Sequence, residues 1–437
     1  MAKILEAGFK INEQHKQFLQ SLCFSDYEAD RRRNPEREKG TCEWIINHKQ
    51  FKSWESDERA SILWISGDPG CGKSVAASFL IDHVRTSTDC SPPAFYFFKD
   101  DSDRQSSATK ALCALLHQIL SSEDRKPLVE HAMTDYTNWG SELFESLDKL
   151  WAIFASIISD PMCGKITIVL DALDECKEVP RARLMGHVVA FCNAIQPRSN
   201  QVKFLMTSRP YAAVQKAFKN FQMIRLKTED SVDEIDQDVK RVIDARIARF
   251  AENMDIREDS RLASLQGHLH SKADRTFLWV SLILDMLDGS ADCSYAELEE
   301  IIDTENPSID ALYEKILEKA KDTKKAQRML HFVVSAAEPL TVAELNVAWA
   351  VKVGDGAQEY KLEDRMFPSP ERGIKEVCGL FVRIIENTVV LVHQTARGFL
   401  VRTAPGSPLE RPPGKWKHCL DPLESNKILA EVCLSFL

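Results

Sequence analysis

Gly67-Asp68-Pro69-Gly70-Cys71-Gly72-Lys73-Ser74 is the stretch whose residue types and spacing point to a definite chemistry. It follows the apolar run Ser61-Ile62-Leu63-Trp64-Ile65-Ser66 and leads through Val75 into Ala76-Ala77-Ser78-Phe79-Leu80. An apolar strand, then GxxxxGKS, then a helix former is the context of a phosphate-binding P-loop, which cradles a nucleoside triphosphate with Mg²⁺. Glycines let the backbone turn tightly and approach the phosphates, whose charge meets backbone N–H groups and the positive end of the following helix. Lys73 is expected to reach the β- and γ-phosphates and the Ser74 hydroxyl to bind the metal. The plainer alternative is a glycine-rich strand-to-helix turn with no ligand.

Other candidates sit at the ends of apolar runs. Ile166-Thr167-Ile168-Val169-Leu170 runs into Asp171, with Asp174 and Glu175 just beyond. A carboxylate ending a buried strand can hold the Mg²⁺ of a P-loop site, and one just after it can orient or activate the attacking water. Asp171 is therefore assigned to the metal, and Asp174 with Glu175 to the water; capping the next helix or solvation is the alternative. Val202-Lys203-Phe204-Leu205-Met206 ends in Thr207-Ser208-Arg209-Pro210, which makes Arg209 a candidate γ-phosphate sensor, unless it merely pairs with an acid. Thr41 is expected to N-cap a short helix bearing Trp44, Ile45 and Ile46, a segment placed to pack against the nucleotide base. His393 directly follows a predicted strand, where a packed or solvent-facing histidine is the commoner outcome.

The elements that must position these residues alternate. Strands are expected over 61–66, 94–98, 166–171, 202–207 and 222–226, with helices over 73–85, 105–120, 147–159 and 181–195. Continuous apolar strands separated by helices predict a parallel sheet covered on both faces. The strand and helix at 94–120, lying in sequence between the P-loop and the acidic strand, suit the P-loop ATPases that carry an inserted strand. Upstream, residues 1 to about 28 read as helix, followed by the charge run Arg31-Arg32-Arg33-Asn34-Pro35-Glu36-Arg37, expected to be a solvated connector.

Beyond 226 the chain turns helical and acidic, then strongly apolar from Phe277 to Leu284, read as a buried helix. Asn306-Pro307-Ser308 marks a boundary. A helix over 324–337, a capping box at Thr341 to Glu344, and a hairpin of 381–385 and 388–392 turning at Glu386-Asn387 give a winged-helix pattern. Pro405-Gly406-Ser407-Pro408 and Pro412-Pro413-Gly414 form a linker. Ile428, Leu429, Val432, Cys433, Phe436 and Leu437 then make an apolar stripe that needs a partner, so the natural protein is expected to continue.

Composition narrows the class. The 437 residues are 44% apolar and 28% charged, an ordinary globular mix long enough for several cores. A net charge of −10 argues against broad binding to a nucleic-acid backbone. Twelve cysteines lie scattered, without metal-ligand spacing and often within apolar runs, as buried reduced thiols do. The first residues carry charge where a signal peptide needs an apolar core, and no apolar run spans a bilayer, so a soluble, cytoplasmic protein is expected.

Together, Gly67 to Ser74, Leu170-Asp171-Ala172-Leu173-Asp174-Glu175-Cys176, Thr207-Ser208-Arg209-Pro210, Gly40-Thr41-Cys42-Glu43-Trp44, Phe277-Leu278-Trp279 and Val392-His393-Gln394 through Leu400 resemble the NACHT family of STAND ATPases. This is the group of animal and fungal NOD-like receptors, and the likeness is to the fungal, nephrocystin-like type. The resemblance implies an N-terminal helical linker (1–55), an α/β nucleotide-binding domain of the inserted-strand P-loop type (56–226), a helical domain (227–306), a winged-helix domain (307–404), and a linker opening a helical or repeat region (405–437).

It also implies the mode of action. These domains would clasp ADP in a resting monomer, and exchange for ATP with Mg²⁺ would open the clasp and let nucleotide domains self-associate in immune or nonself signalling. By carry-over Gly67 through Val75 and Thr41 line the nucleotide, Ser74 and Asp171 hold Mg²⁺, Asp174 and Glu175 serve slow hydrolysis, Arg209 senses the γ-phosphate, and His393 touches the β-phosphate of ADP. The Gly-x-Pro motif that some relatives carry in the helical domain has no counterpart near Arg275-Thr276-Phe277, which leaves base and ribose contacts unassigned. In such receptors an effector domain usually precedes this segment and a repeat sensor follows it; the amino-terminal tail is too short for the first and the chain stops where the second would begin, so the sequence is expected to be the switch core of a larger receptor or a gene fragment. Neither nucleic acid nor membrane is expected as a partner. The alternatives are a continuously cycling ATPase machine acting on protein or nucleic acid, and a GTP switch, which the absence of an Asn-Lys-x-Asp signature disfavours.

Overall fold

The computed structural model describes residues 12–86, 91–194, 201–226, 232–253, 260–272, 277–288, 308–320, 322–353, 361–401 and 415–436. The chain divides into two compact units, Met1–Val242 and Ile243–Leu437. Expectations for residues 1–11, for the boundary at Asn306-Pro307 and for the 405–414 linker lie outside the described residues.

The first unit is built on five parallel strands, β1 (Ser61–Ser66), β2 (Ala94–Phe97), β3 (Ile166–Asp171), β4 (Val202–Ser208) and β5 (Gln222–Arg225). Their spatial order is β2-β3-β4-β1-β5. Every residue of β1, β2, β3 and β4 is buried, as strands covered on both faces must be. Leu112, Leu116, Phe154 and Ile158, from the helices Ala108–Leu120 and Leu147–Ser159, join Ile168 and Phe204 in one apolar core. Ser66 pairs with Ser208 and Phe97 with Asp171, so the strands end at a common carboxyl edge. In open parallel sheets that edge is where ligands bind.

The sheet is of the inserted-strand type as expected, but the inserted strand is a different one. The strand between the P-loop strand and the acidic strand in space is β4, which leads to Arg209, whereas β2 lies at the edge. Chain order alone does not show this, because the crossover that places β4 beside β1 is made after β3. Helix limits also shift. The helix expected from 105 begins at Ala108, capped by Ser107, and the one expected from 181 begins at Glu178.

Two N-terminal expectations change. The helix splits into Glu13–Leu22 and Tyr27–Arg32. Asp26 caps the second by accepting from Ala29 N–H at 2.9 Å, and a local cap of this kind favours a fresh start over continuation. The charge run is not a solvated connector. Arg31, 13% exposed in its side chain, pairs with Asp82 on the P-loop helix and donates to Ser78 O at 3.1 Å, while Arg85 pairs with Glu28. Arg33 Nη1 reaches Gln105 Oε1 at 3.1 Å. Phe95 lies beneath both Arg31 and Arg85, so the guanidinium stems also cover an aromatic ring.

The second unit holds the buried helix Phe277–Asp288 and the winged-helix elements. Its described helices include Ile309–Glu318, Thr323–Ser335, Val342–Ala350 and Pro370–Cys378, followed by β6 (Val382–Ile385) and β7 (Thr388–Leu391). The capping box forms as expected, with Thr341 N–H and hydroxyl both on Glu344 Oε2. Glu386 and Asn387 have φ values of 48° and 65°, the left-handed pair a two-residue hairpin turn demands. Asp285 ties the apolar helix to the hairpin through Arg383 at 2.7 Å and to Arg246 at 2.8 Å.

The C-terminal helix Pro422–Phe436 finds its partner within this unit: Ser425 Oγ meets His331 Nδ1 at 2.8 Å, and Val432 is buried. Of the expected stripe, Cys433 and Phe436 stay exposed, as does Leu434 beside them.

Reversing the charge of Arg31 tests its docking. Arg31→Glu places a carboxylate beside Asp82 and Glu28, and is expected to cost roughly 1–3 kcal/mol in urea unfolding of the first unit. An unchanged midpoint means that the run is solvated after all.

Candidate nucleotide site

Residues 67–74 fold as a loop wrapped around the Lys73 ammonium. Gly67 N–H still bonds β4 through Ser208 O at 3.2 Å, and Leu226 N–H bonds Ser66 O at 2.7 Å, so the strand holds its register to the loop's first residue. A Cβ on Gly67 would lie 2.6 Å from Cys71 Sγ and 3.0 Å from Leu226 Cβ, which excludes any larger residue there. Gly70 and Gly72 have φ of 78° and 84°, a region open to glycine at little cost. Lys73 Nζ donates to the carbonyls of Gly67 at 2.8 Å and Asp68 at 2.9 Å. The helix Lys73–Thr86 then presents the unpaired N–H groups of its first turn, including Ser74 and Val75, with the positive end of its dipole.

Asp171 is fully buried at the end of β3. Its Oδ1 accepts from Thr207 Oγ1 at 2.6 Å, and Thr207 Oγ1 in turn accepts from Ala172 N–H at 2.8 Å. Its Oδ2 has no hydrogen-bond partner. Burial raises the Asp171 pKa, against the hydroxyls of Ser74 and Thr207 and the charges of Lys99 and Lys73, which favour the carboxylate. Ser74 thus stands beside the Asp171 carboxylate. One buried carboxylate oxygen left over beside a hydroxyl is an oxygen donor set that a hard divalent cation fits. Ser74 and Asp171 are the residues that would hold Mg²⁺.

The turn after β3 splits the other acids. Ala172 takes φ 52°, a left-handed conformation costly for a residue with a Cβ, and starts the 3₁₀ turn Leu173–Glu175. Asp174 faces β4: its Oδ1 accepts from Arg209 N–H at 3.1 Å and its Oδ2 lies 3.1 Å from Arg209 Nε. The proposed sensor and one proposed hydrolytic acid are therefore each other's partner, and the Asp174 side chain is 4% exposed. Glu175 turns the other way, buried, with Oε2 accepting from Asp100 N–H at 3.3 Å. Burial pushes its pKa up to about 8, opposed by Lys99 and reinforced by Asp100, Asp174 and Asp171.

The remaining candidates lie elsewhere. Thr41 is buried, but it is not the N-cap: its hydroxyl donates to Glu38 O at 2.8 Å, and the helix Glu43–Asn47 starts from Cys42 at φ 64°. Cys42 N–H and Trp44 Nε1 both bind Asp238 Oδ2, at 2.7 and 3.1 Å, so a buried carboxylate fixes this segment in place of a threonine cap. His393 belongs to the second unit. It caps the helix Gln394–Leu400, its Nδ1 accepting from Thr395 N–H at 3.2 Å, which in the neutral ring leaves the proton on Nε2. Thr395 Oγ1 is in turn 2.8 Å from Tyr313 Oη.

Sequence reasoning missed Lys99 and the specific part of Thr207. Lys99 directly follows the aromatic run 95–98 at the sheet's carboxyl edge, a signal by which it could have been found. Among the described residues no helix is long and apolar enough to cross a membrane.

Comparison with known proteins agrees with this geometry. Residues 40–209 match the family described as Nephrocystin 3, N-terminal, and residues 313–408 match the GPI inositol-deacylase winged helix domain. The vegetative incompatibility protein HET-E-1 of Podospora anserina is 27% identical over 372 residues, covering 83% of this chain. The chain spans 26% of the length of that relative. Among solved structures, a Walker-type ATPase of Pyrococcus abyssi aligns at 9% identity and TM-score 0.38, covering 84% of this chain and 97% of that one. The ORC2 protein of Aeropyrum pernix in its ADP form aligns at 11% identity and TM-score 0.37, covering 95% and 98%. Scores this low carry no argument, and the fold stands on the chain's own strands.

Glu175 gives a test of the site's electrostatics without nucleotide or metal. Its pKa rises from 4.5 to about 8 on folding. The folded state therefore holds the proton that the unfolded state releases, and stability falls as pH rises across that window. Glu175→Gln is exempt, so its melting temperature is expected to exceed that of wild type by roughly several degrees above about pH 8, with the gap closing towards about pH 5. A gap that does not vary with pH contradicts the burial of this carboxyl.

Proposed function

From the premise that this chain belongs to the NACHT family of P-loop proteins, in its nephrocystin-like, fungal type, we propose that it is the core of a STAND signalling switch, in which exchange and slow hydrolysis of ATP govern opening and self-association. That the chain is a STAND-like nucleotide-binding ATPase follows from the family. The switch is the finer reading, and the state of Glu175 is the observation that favours it.

A base that activates water must be ionised, yet burial holds Glu175 at a pKa of about 8, so at neutral pH most of it carries a proton. Asp174, the other candidate, is engaged by Arg209. A site whose hydrolytic acids are muted in this way suits a timer better than a fast engine. In this reading Gly67 through Val75 bind the phosphates, with Lys73 leaving the carbonyls of Gly67 and Asp68 for the β- and γ-phosphates. Ser74 and Asp171 hold Mg²⁺, which when bound screens phosphate charge. Glu175 accepts the proton of the water that attacks the γ-phosphorus, as the bond from that phosphorus to the bridging oxygen breaks and ADP leaves with inorganic phosphate. Asp174 holds Arg209 at the end of β4 until a γ-phosphate competes for the guanidinium.

His393 is proposed to contact the β-phosphate of ADP. The bond from Thr395 N–H to Nδ1 supports this, since it orients the ring and leaves Nε2 as a donor. A resting state held by such a contact is a population bias that ATP with Mg²⁺ can reverse. Thr41 is proposed as a nucleotide-lining residue through the lead-in segment fixed by Asp238. Immune or nonself signalling and a cytoplasmic location come with the family reading.

Two substitutions test the proposal. Lys73→Ala is expected to abolish ATP and ADP binding measured by calorimetry. His393→Ala is expected to speed ADP release in stopped flow by roughly tenfold or more, as befits loss of a hydrogen bond to a charged group. Unchanged ADP release removes the clasp from the account, and nucleotide binding that survives Lys73→Ala removes the P-loop from it.

A further inference from the structure

The chain leaves β3 through Ala172 at φ 52° and enters the 3₁₀ turn Leu173–Glu175, and a left-handed residue with a Cβ persists only where its surroundings hold it. Thr207 holds the entry, its Oγ1 accepting from Ala172 N–H at 2.8 Å. Within the turn Glu175 N–H bonds Ala172 O at 2.8 Å, and Cys176 N–H bonds Leu173 O at 3.2 Å. These bonds use the carbonyls of Ala172 and Leu173. Those of Asp174 and Cys176, on either side of Glu175, need donors from elsewhere in the chain.

Arg181 supplies them. Its Nη1 donates to Asp174 O at 2.9 Å and to Cys176 O at 3.4 Å. Arg181 belongs to the first residues of the helix Glu178–Asn193, where its own N–H bonds Lys177 O at 2.9 Å. Lys177, just before that helix, is tied to the loop after β2 by its N–H on Ser106 O at 3.0 Å and by its Nζ on Asp103 Oδ1 at 2.9 Å. The guanidinium therefore reaches back to the turn from an anchored base. A cation so near a helix N-terminus is opposed by the helix dipole, which favours anions there. Local helix electrostatics give no reason for an arginine at this position, whereas the two carbonyls do.

We propose that Arg181 is a positioning residue of the hydrolytic site: by bridging the carbonyls of Asp174 and Cys176 it fixes the backbone from which Asp174 and Glu175 project. The inference rests on the reading of Glu175 as the acceptor of the water's proton. Its action is geometric. The bond from Asp100 N–H to Glu175 Oε2, and the double contact of Asp174 with Arg209, both depend on where this short stretch of backbone lies. A displacement of about 1 Å in a reacting group is enough to cost roughly 100-fold in rate. Phosphate binding is spared, because the loop 67–74 shares none of these bonds with Arg181.

The test pairs hydrolysis with a measurement that needs no nucleotide. Arg181→Met keeps the aliphatic stem and removes the donors. It is expected to slow single-turnover ATP hydrolysis by about tenfold or more, with ATP affinity kept within about threefold. Arg181→Lys, which offers one ammonium to the same carbonyls, is expected to recover part of the rate. In the nucleotide-free protein, amide exchange read by mass spectrometry is expected to quicken about tenfold over residues 172–177 in Arg181→Met and to stay unchanged over β1. The proposal is overturned by a wild-type rate in Arg181→Met, by an ATP affinity that falls as far as the rate, by a lysine variant as slow as the methionine one, or by unchanged exchange in the turn. A wild-type protein that binds ATP without hydrolysing it, while Arg181→Met still loosens the turn, keeps the grip on the turn and overturns the hydrolytic reading of the site instead.

Discussion

Asp171 lies fully buried where β3 meets the P-loop, with one carboxylate oxygen fastened by Thr207 and the other unbonded. Taking a carboxylate out of water without pairing both oxygens costs free energy, which a cation held there would recover. Everything around Asp171 serves to keep it there. Burial on both faces of the sheet fixes the strand, the register with β2 and β4 fixes its end, and Thr207 fixes one rotamer. Ser74, on the helix that follows the P-loop, arrives beside it because β1 lies one strand away across β4.

The remaining acids follow from the same constraint. A sharp left-handed turn at Ala172 is needed to leave the buried strand, and it sends Asp174 towards β4 and Glu175 towards the loop after β2. Adjacent residues of one short turn thereby acquire opposite surroundings. One is matched by Arg209; the other is buried and raised in pKa against the opposing charge of Lys99. Like charges crowded at one strand end are separated by environment, which is how adjacent acids of a single turn come to differ in their affinity for a proton.

Much of this was legible in the sequence, and what was not has physical reasons. The apolar runs at 61–66, 166–171 and 202–207 mark strands because only a doubly covered strand can hide every residue. The P-loop spacing and the acid at the end of β3 located the site for the same reason. Strand order escaped because sequence proximity favours β2 as the neighbour, whereas the crossover inserts β4. Lys99 escaped because its place depends on Phe98 and Asp100, which bond Asp171 and Glu175 from another part of the chain. Arg31 and Arg33 escaped likewise, since a charge run looks exposed until Asp82 and Gln105 are found beside it. Thr41 was misread as a cap because Asp238, which fixes that segment, is far away in sequence.

The proposed switch makes the bound nucleotide the variable that decides assembly, so nucleotide and mass should be read on the same sample. The measurement is to identify the nucleotide that copurifies with the protein, then determine its mass in solution with ADP and with a non-hydrolysable ATP analogue and Mg²⁺. The account predicts tightly held ADP on a monomer, and growth in mass with the analogue. A protein that purifies empty, turns ATP over freely and keeps one mass throughout would contradict it.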